Sequence, residues 1–247
     1  MRGVSGTAAG PVVVERADGV GGELVLRRDG ADYEIISNGV FLMDTRNGES
    51  ERLLVRTAVD TAVDTPVDTP VDTGGDAAVG GAGGAVRVLI GGLGVGFSLA
   101  EALALPRVDR VTVVEREPAV VGWHRTVLRP WSRGAVDDSR VTVEVADLLD
   151  VLARPDGERY DAVCLDIDNG PGWTVTPGNA RLYDPSGLDL VTARLAPGGV
   201  LAVWSANAAP EFETLLRRRF GWVEVRAVPV PRGEPDVIYL AREPDPR

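Results

Sequence analysis

Apolar and polar positions divide the chain into three stretches. In the first, residues 1–57, short apolar runs alternate with polar positions. Glu23–Arg28 alternates, Arg27–Asp32 has the composition of a turn, and Tyr33–Ile36 and Val40–Met43 flank Asn38-Gly39. Asn-Gly between two apolar runs is a strong hairpin signal. The stretch therefore predicts three short strands. Three short strands are marginal alone and need a surface to pack on.

Residues 58–85 lack such alternation. Ala58–Thr61, Ala62–Thr65, Pro66–Thr69 and Pro70–Thr73 are four copies of one tetrapeptide, and a Gly-rich run follows to Gly84. One valine in four residues buries too little surface to offset the entropy of ordering. The expectation is an acidic, flexible linker, with extended structure as the alternative.

Residues 86–247 alternate strand and helix patterns, which predicts a doubly wound parallel α/β sheet. Expected strands are Val86–Ile90, Arg110–Glu115, Arg140–Val145, Tyr160–Asp166, Val200–Trp204, Trp222–Val228 and Val237–Ala241. Expected helices are Ser98–Leu105, Pro118–Leu128, one from about Asp147, Leu188–Leu195 and Glu211–Arg219. Seven strands, the last two nearly adjacent, fit a Rossmann-like sheet with an antiparallel edge.

Composition removes several functions. The 247 residues carry 26 basic and 37 acidic groups, a net charge of −11. Every basic residue is arginine, so Schiff-base chemistry and a lysine-dependent phosphate loop are excluded. An acidic surface is a poor match to a nucleic-acid backbone. One cysteine, Cys164, and one histidine, His124, make disulfide, zinc and histidine-triad chemistry poor bets, and no metal is expected. Cys164 reads as core and His124 as a helix flank. The first residues contain no apolar run of signal-peptide length, and no stretch approaches a membrane span. A cytoplasmic protein without membrane contact is expected.

Candidate chemistry lies at the carboxyl ends of the predicted parallel strands, where open α/β sheets bind ligands. Gly91–Phe97 joins the first of these strands to a helix, and its glycines allow a tight turn and a close backbone approach. Glu115 ends the next strand, placed to accept hydrogen bonds from ribose hydroxyls. Asp147 ends the third run, suited to an adenine amino group or to a helix N-cap. The fourth strand ends in Leu165-Asp166-Ile167-Asp168-Asn169. Asp166 follows an apolar run, and partial desolvation raises its basicity, which suits taking a proton from an attacking amine. Asp168 and Asn169 either touch substrate or form the turn before Gly170-Pro171. Tyr183 is a further candidate for orienting an amine. Trp173 fits a loop anchor or a wall of the site.

From Val86 to Trp204 the chain resembles the spermidine synthase family of aminopropyltransferases, within the class I S-adenosylmethionine-dependent methyltransferase fold. The residues that carry the resemblance are Val88–Gly96, Val113–Pro118, Asp138–Val141, Tyr160-Asp161, Leu165-Asp166, Leu182-Tyr183 and Leu195–Leu201. The match extends more loosely to Glu23–Leu54. The resemblance implies that Gly92, Gly94 and Gly96 form the donor loop, Glu115 meets the ribose, Asp147 meets the adenine and Asp166 is the proton acceptor. It implies S-adenosylmethionine or its decarboxylated form as donor, a small amine or metabolite as acceptor, and a homodimer.

The chain departs from the family pattern at the amine end. Val95 stands where aminopropyltransferases carry an Asp for the donor's amine. Asn169-Gly170 stand where they carry a second Asp. Residues 42–52 lack the Gln, Tyr and His of the diamine site. Ordinary putrescine aminopropylation is therefore not expected. A small-molecule methyltransferase and a non-catalytic nucleoside-binding scaffold are the alternatives.

Overall fold

The computed structural model describes residues 10–63 and 84–245. Four antiparallel strands come first: β1 (Val12–Gly19), β2 (Gly22–Asp29), β3 (Asp32–Ser37) and β4 (Val40–Asp44). They pair in sequence order, each strand with the next. Asn38 and Gly39 take φ of 49° and 78°, both left-handed, as the tightest hairpin turns require. The sequence pattern missed β1. Val12, Val13 and Val14 are exposed at the sheet edge, so this strand is held by its pairing with β2 and carries no burial signal.

The second correction concerns the repeat. Helix α1 runs Glu49–Val63, through the first tetrapeptide copy and into the second, where a linker was expected. A period of four is close to the helical 3.6, so Leu54-Val55, Ala58-Val59 and Ala62-Val63 fall on one side of the helix. Leu54, Val55, Ala58 and Val59 are buried. The remainder of the repeat, from Asp64, lies outside the described residues.

The larger sheet contains β5 (Val86–Gly91), β6 (Val108–Glu115), β7 (Val141–Val145), β8 (Tyr160–Leu165), β9 (Leu195–Ser205), β10 (Phe220–Val228) and β11 (Asp236–Pro244). Its order is β10-β11-β9-β8-β5-β6-β7, with β11 antiparallel to β9 and β10. This is the expected α/β architecture, a seven-stranded Rossmann-like methyltransferase sheet with an extra N-terminal sheet. Helices α2 (Phe97–Ala104), α3 (Pro118–His124), α4 (Arg129–Ser132), α5 (Leu148–Leu152), α6 (Pro185–Ala193) and α7 (Pro210–Arg219) connect the strands. The expected helix at 118–128 is shorter: Arg125 caps α3, and α4 begins at Arg129.

Successive strand residues feed opposite cores. Val88, Ile90, Ala162 and Cys164 join α1, α2, α3 and the small sheet on one face. Leu89, Val163 and Leu165 join α5, α6 and α7 on the other. The small sheet thus lies on the α1 side, beside the carboxyl ends of β5 and β6. No described helix is long and apolar enough to cross a membrane.

Candidate functional site

The carboxyl ends of β5, β6, β7 and β8 open into one cavity. Gly92, Gly94, Glu115, Asp147, Asp166 and Asp168 line it from the large sheet. Leu24, Ile35, Leu42 and Met43 cover it from the small sheet, and α1 contributes Glu51. Six of the sequence-predicted residues therefore meet in one place. Gly96, Asn169 and Tyr183 stand outside the lining.

The floor is the turn after β5. Gly92 has φ 92°, and a Cβ there would meet the Asp166 carbonyl oxygen at 2.1 Å. Gly94 has φ 49°, and a Cβ there would meet Met43 Sδ at 2.3 Å. Glycine is needed at both for conformation and for space. Gly96 packs behind the loop against His124 and Ser132.

Glu115 holds this loop. Its Oε2 accepts from Leu93 N–H at 2.9 Å and its Oε1 from Glu117 N–H at 2.8 Å. Burial raises the Glu115 pKa, and the backbone N–H groups of Glu117, Leu93 and Arg116 oppose that. Glu117 in turn accepts from Val20 N–H at 2.7 Å and Gly21 N–H at 3.3 Å, in the β1–β2 turn.

His124 is a correction. It is fully buried rather than on a helix flank, and its Nε2 lies 2.9 Å from the Gly94 carbonyl oxygen. That contact makes Nε2–H the donor. Nδ1 is buried without a partner, and burial lowers the pKa, so the ring is neutral. The residue faces the loop because α3 packs one side against β6 and α4. Its adjacent Trp123 is buried as well.

Asp147 lines the cavity and caps α5, accepting from Leu149 N–H at 2.9 Å. Asp168, with φ 54°, accepts from Asn179 Nδ2 at 2.6 Å and from Thr176 N–H at 3.3 Å. It organises the 168–179 loop while lining the cavity. Asn169 is buried, and its carbonyl accepts from Ala206 N–H. Tyr183 is buried and donates its hydroxyl to the Ile167 carbonyl at 3.1 Å, which supports the strand end from behind. Trp173 is exposed and Cys164 is core.

Asp166 ends β8. Its Oδ2 accepts from Ser98 Oγ–H at 2.6 Å. Burial raises its pKa above the ordinary carboxylate range, and the nearby Asp236 charge adds to the rise against the Ser98 bond. Glu51 is raised likewise, by burial first and then by Asp166. Sequence reasoning missed Glu51 and Asp236. Glu51 sits in a helix read as strand and linker, and Asp236 opens β11, one residue before the strand expected from Val237. The available signal was the four-residue apolar period, which turns Glu51 inward one turn before Leu54 and Val55.

Relatives of known type share this plan. The model of the spermine/spermidine synthase domain matches residues 78–215. The polyamine aminopropyltransferase of Aeropyrum pernix is 30% identical over 173 residues, covering 65% of this chain and 53% of that protein. That of Mycobacterium tuberculosis strain H37Rv is 35% identical over 126 residues, covering 50% of this chain and 23% of that protein. The chain thus spans about a quarter of the mycobacterial relative's length and about half of the archaeal one's. Among solved structures, Thermotoga maritima spermidine synthase superposes with a TM-score of 0.68 at 16% identity, covering 95% of this chain and 74% of that one. Human methyltransferase-like protein 13 in complex with SAH gives 0.52 at 21% identity, covering 78% and 79%. These two likenesses are of fold. The domain match covers more than half of the residues, and by it the chain belongs to the spermine/spermidine synthase family.

Proposed function

We propose that the chain is a spermidine synthase-like transferase that alkylates a small amine with S-adenosylmethionine or its decarboxylated form. The observation that carries this is the placement of Asp166 in one cavity with the glycine loop, Glu115 and Asp147. In this reading the loop backbone and Glu115 take the ribose, and Asp147 takes the adenine. The donor supplies a carbon activated by attachment to a positive sulfur. Asp166 accepts one proton from the acceptor's ammonium and frees the nitrogen lone pair. A nitrogen–carbon bond then forms as the carbon–sulfur bond breaks, and the bonding pair leaves with sulfur as a neutral thioether. With the electrophile already activated, the protein's work is alignment, desolvation and one deprotonation.

Calorimetry tests the donor half. An adenosyl sulfonium or its thioether product should bind, and Glu115→Ala should weaken binding strongly. No binding of either ligand overturns the proposal. The reading extends to a cytoplasmic homodimer, checked by sedimentation of the full chain.

Methyl transfer is the second reading, and Val95 favours it. Val95 is fully buried and apolar where the family's Asp is expected, so that position offers the donor's amine no charge. Mass spectrometry of products made with each donor separates the two readings, by the added mass of a methyl or an aminopropyl group. A blank result with both donors, despite tight nucleoside binding, would indicate a scaffold.

A further inference from the structure

The cavity and the family match locate the site but leave open what faces the acceptor. The family model covers 78–215, and two acids at this end lie outside it: buried Glu51 on α1 and half-buried Asp236 on β11. Glu51 is 8% exposed and lines the cavity with Asp166.

Ser50 connects the two acids. Its Oγ lies 2.9 Å from Glu51 Oε2 and 2.6 Å from Asp236 Oδ2, and it accepts from Trp204 Nε1–H at 3.0 Å. A hydroxyl carries one hydrogen, so it donates to only one of two carboxylates. Ser50 thus stands between the two carboxyls within hydrogen-bond distance of both and fixes Glu51 in place.

No arginine among the described residues is paired with Glu51, Asp166 or Asp236, in a chain with 26 of them. The nearby guanidiniums are used elsewhere: Arg52 stacks over Phe97, and Arg56 pairs with Glu101 of α2. The groups facing Glu51 are Asp166 from β8, Asp236 from β11, Trp204 from β9 and Ser98 from α2, whose Oγ lies 3.3 Å from the Glu51 carbonyl. None is a cation. Buried carboxylates are ordinarily paired, and this group lacks its counter-charge within the described protein.

We infer that Glu51 is an acceptor-binding residue, forming with Asp166 a two-carboxylate seat for the ammonium end of a primary amine, with Ser50 and Asp236 as its positioning residues. The inference rests on the transferase reading above and names the group that completes its acceptor end. Asp166 takes the proton, and Glu51 keeps a hydrogen bond to the nitrogen as it turns toward the donor. The seat replaces the missing Gln, Tyr and His of residues 42–52 with one helix-borne carboxylate.

The test is calorimetry on the full chain saturated with 5′-methylthioadenosine, titrated with 1,3-diaminopropane, 1,4-diaminobutane and spermidine. The wild type should bind at least one of these amines. Glu51→Gln should keep thioether affinity within twofold and lose amine affinity tenfold or more. Ser50→Ala should lose three- to tenfold on the amine alone. Amine affinity within twofold of wild type in Glu51→Gln overturns the inference, as does a thioether-loaded wild type that takes none of the three. Absence of thioether binding by the wild type overturns the donor reading, and the inference with it. Should Glu51→Gln fail to fold, Ser50→Ala decides, and unchanged amine affinity there overturns it.

Discussion

The imidazole of His124 donates from Nε2 to the carbonyl of Gly94 at 2.9 Å, from a fully buried position behind the loop. His124→Phe keeps the ring volume and loses the bond. It should destabilise the protein by about 1–2 kcal/mol and weaken adenosyl-ligand binding, read by urea unfolding and calorimetry. The sign of the pH effect follows from the lowered pKa. The unfolded chain protonates His124 below its ordinary 6.5, and the folded one resists. This contribution is complete above 6.5 and is lost as pH falls from there through the lower folded value, and the phenylalanine variant should lack this component.

The buried acids act in the opposite direction. Asp166 and Glu51 have folded pKa values above their unfolded ones, so the folded state holds more protons. Their stabilisation is complete below the ordinary carboxylate range and is lost as pH rises through the raised values. Asp166→Asn should therefore be more stable than wild type at pH 8, by roughly 1–3 kcal/mol, with the gap closing near pH 4. Turnover should disappear in the same variant. Urea midpoints across pH check the first claim, and a product assay the second.

Gly92 and Gly94 predict different outcomes for one substitution. Gly92→Ala drives a Cβ into the Asp166 backbone carbonyl, which cannot retreat, and should cost more than about 3 kcal/mol or prevent folding. Gly94→Ala meets only the flexible end of Met43. It should cost about 1–2 kcal/mol of left-handed strain and reduce ligand affinity. Met43→Ala should restore part of that affinity in the double variant. A double-mutant cycle measures the coupling.

Val59, in the first repeat copy, is 2% exposed in the core between α1 and the large sheet. Val59→Ala should cost about 1–3 kcal/mol, although a repeat of this composition suggests indifference. Thermal unfolding decides.

The large sheet was legible because its inner strands β5 and β8 are buried on both faces and read as nearly continuous apolar runs, while the edge strand β7 alternates. That Glu115, Asp147 and Asp166 line one cavity followed from their positions at the strand ends and from the family resemblance. Helix α1 was not legible, because Ala-Val-Asp-Thr is rich in β-branched residues and its copies suggested low complexity. Only the continuation of the Leu54-Val55 face through Ala58-Val59 identifies the helix. Glu51 was lost with it. His124 was misread because its partner is a backbone carbonyl thirty residues away, and a backbone acceptor leaves no mark in the side-chain pattern. β1 was missed for a related reason, since its support is the ladder to β2.

Glu115 ties the floor of the cavity through Leu93, and its neighbour Glu117 ties the roof through Val20 and Gly21, while Glu117 N–H binds Glu115. Two segments far apart in sequence are thus fastened to two acids, with one residue between them, at one strand end. In the proposed reading, the seat for a nucleoside is therefore preorganised. Its ordering entropy is spent during folding rather than at association, so affinity there depends on how well the protein is folded as much as on which groups touch the ligand.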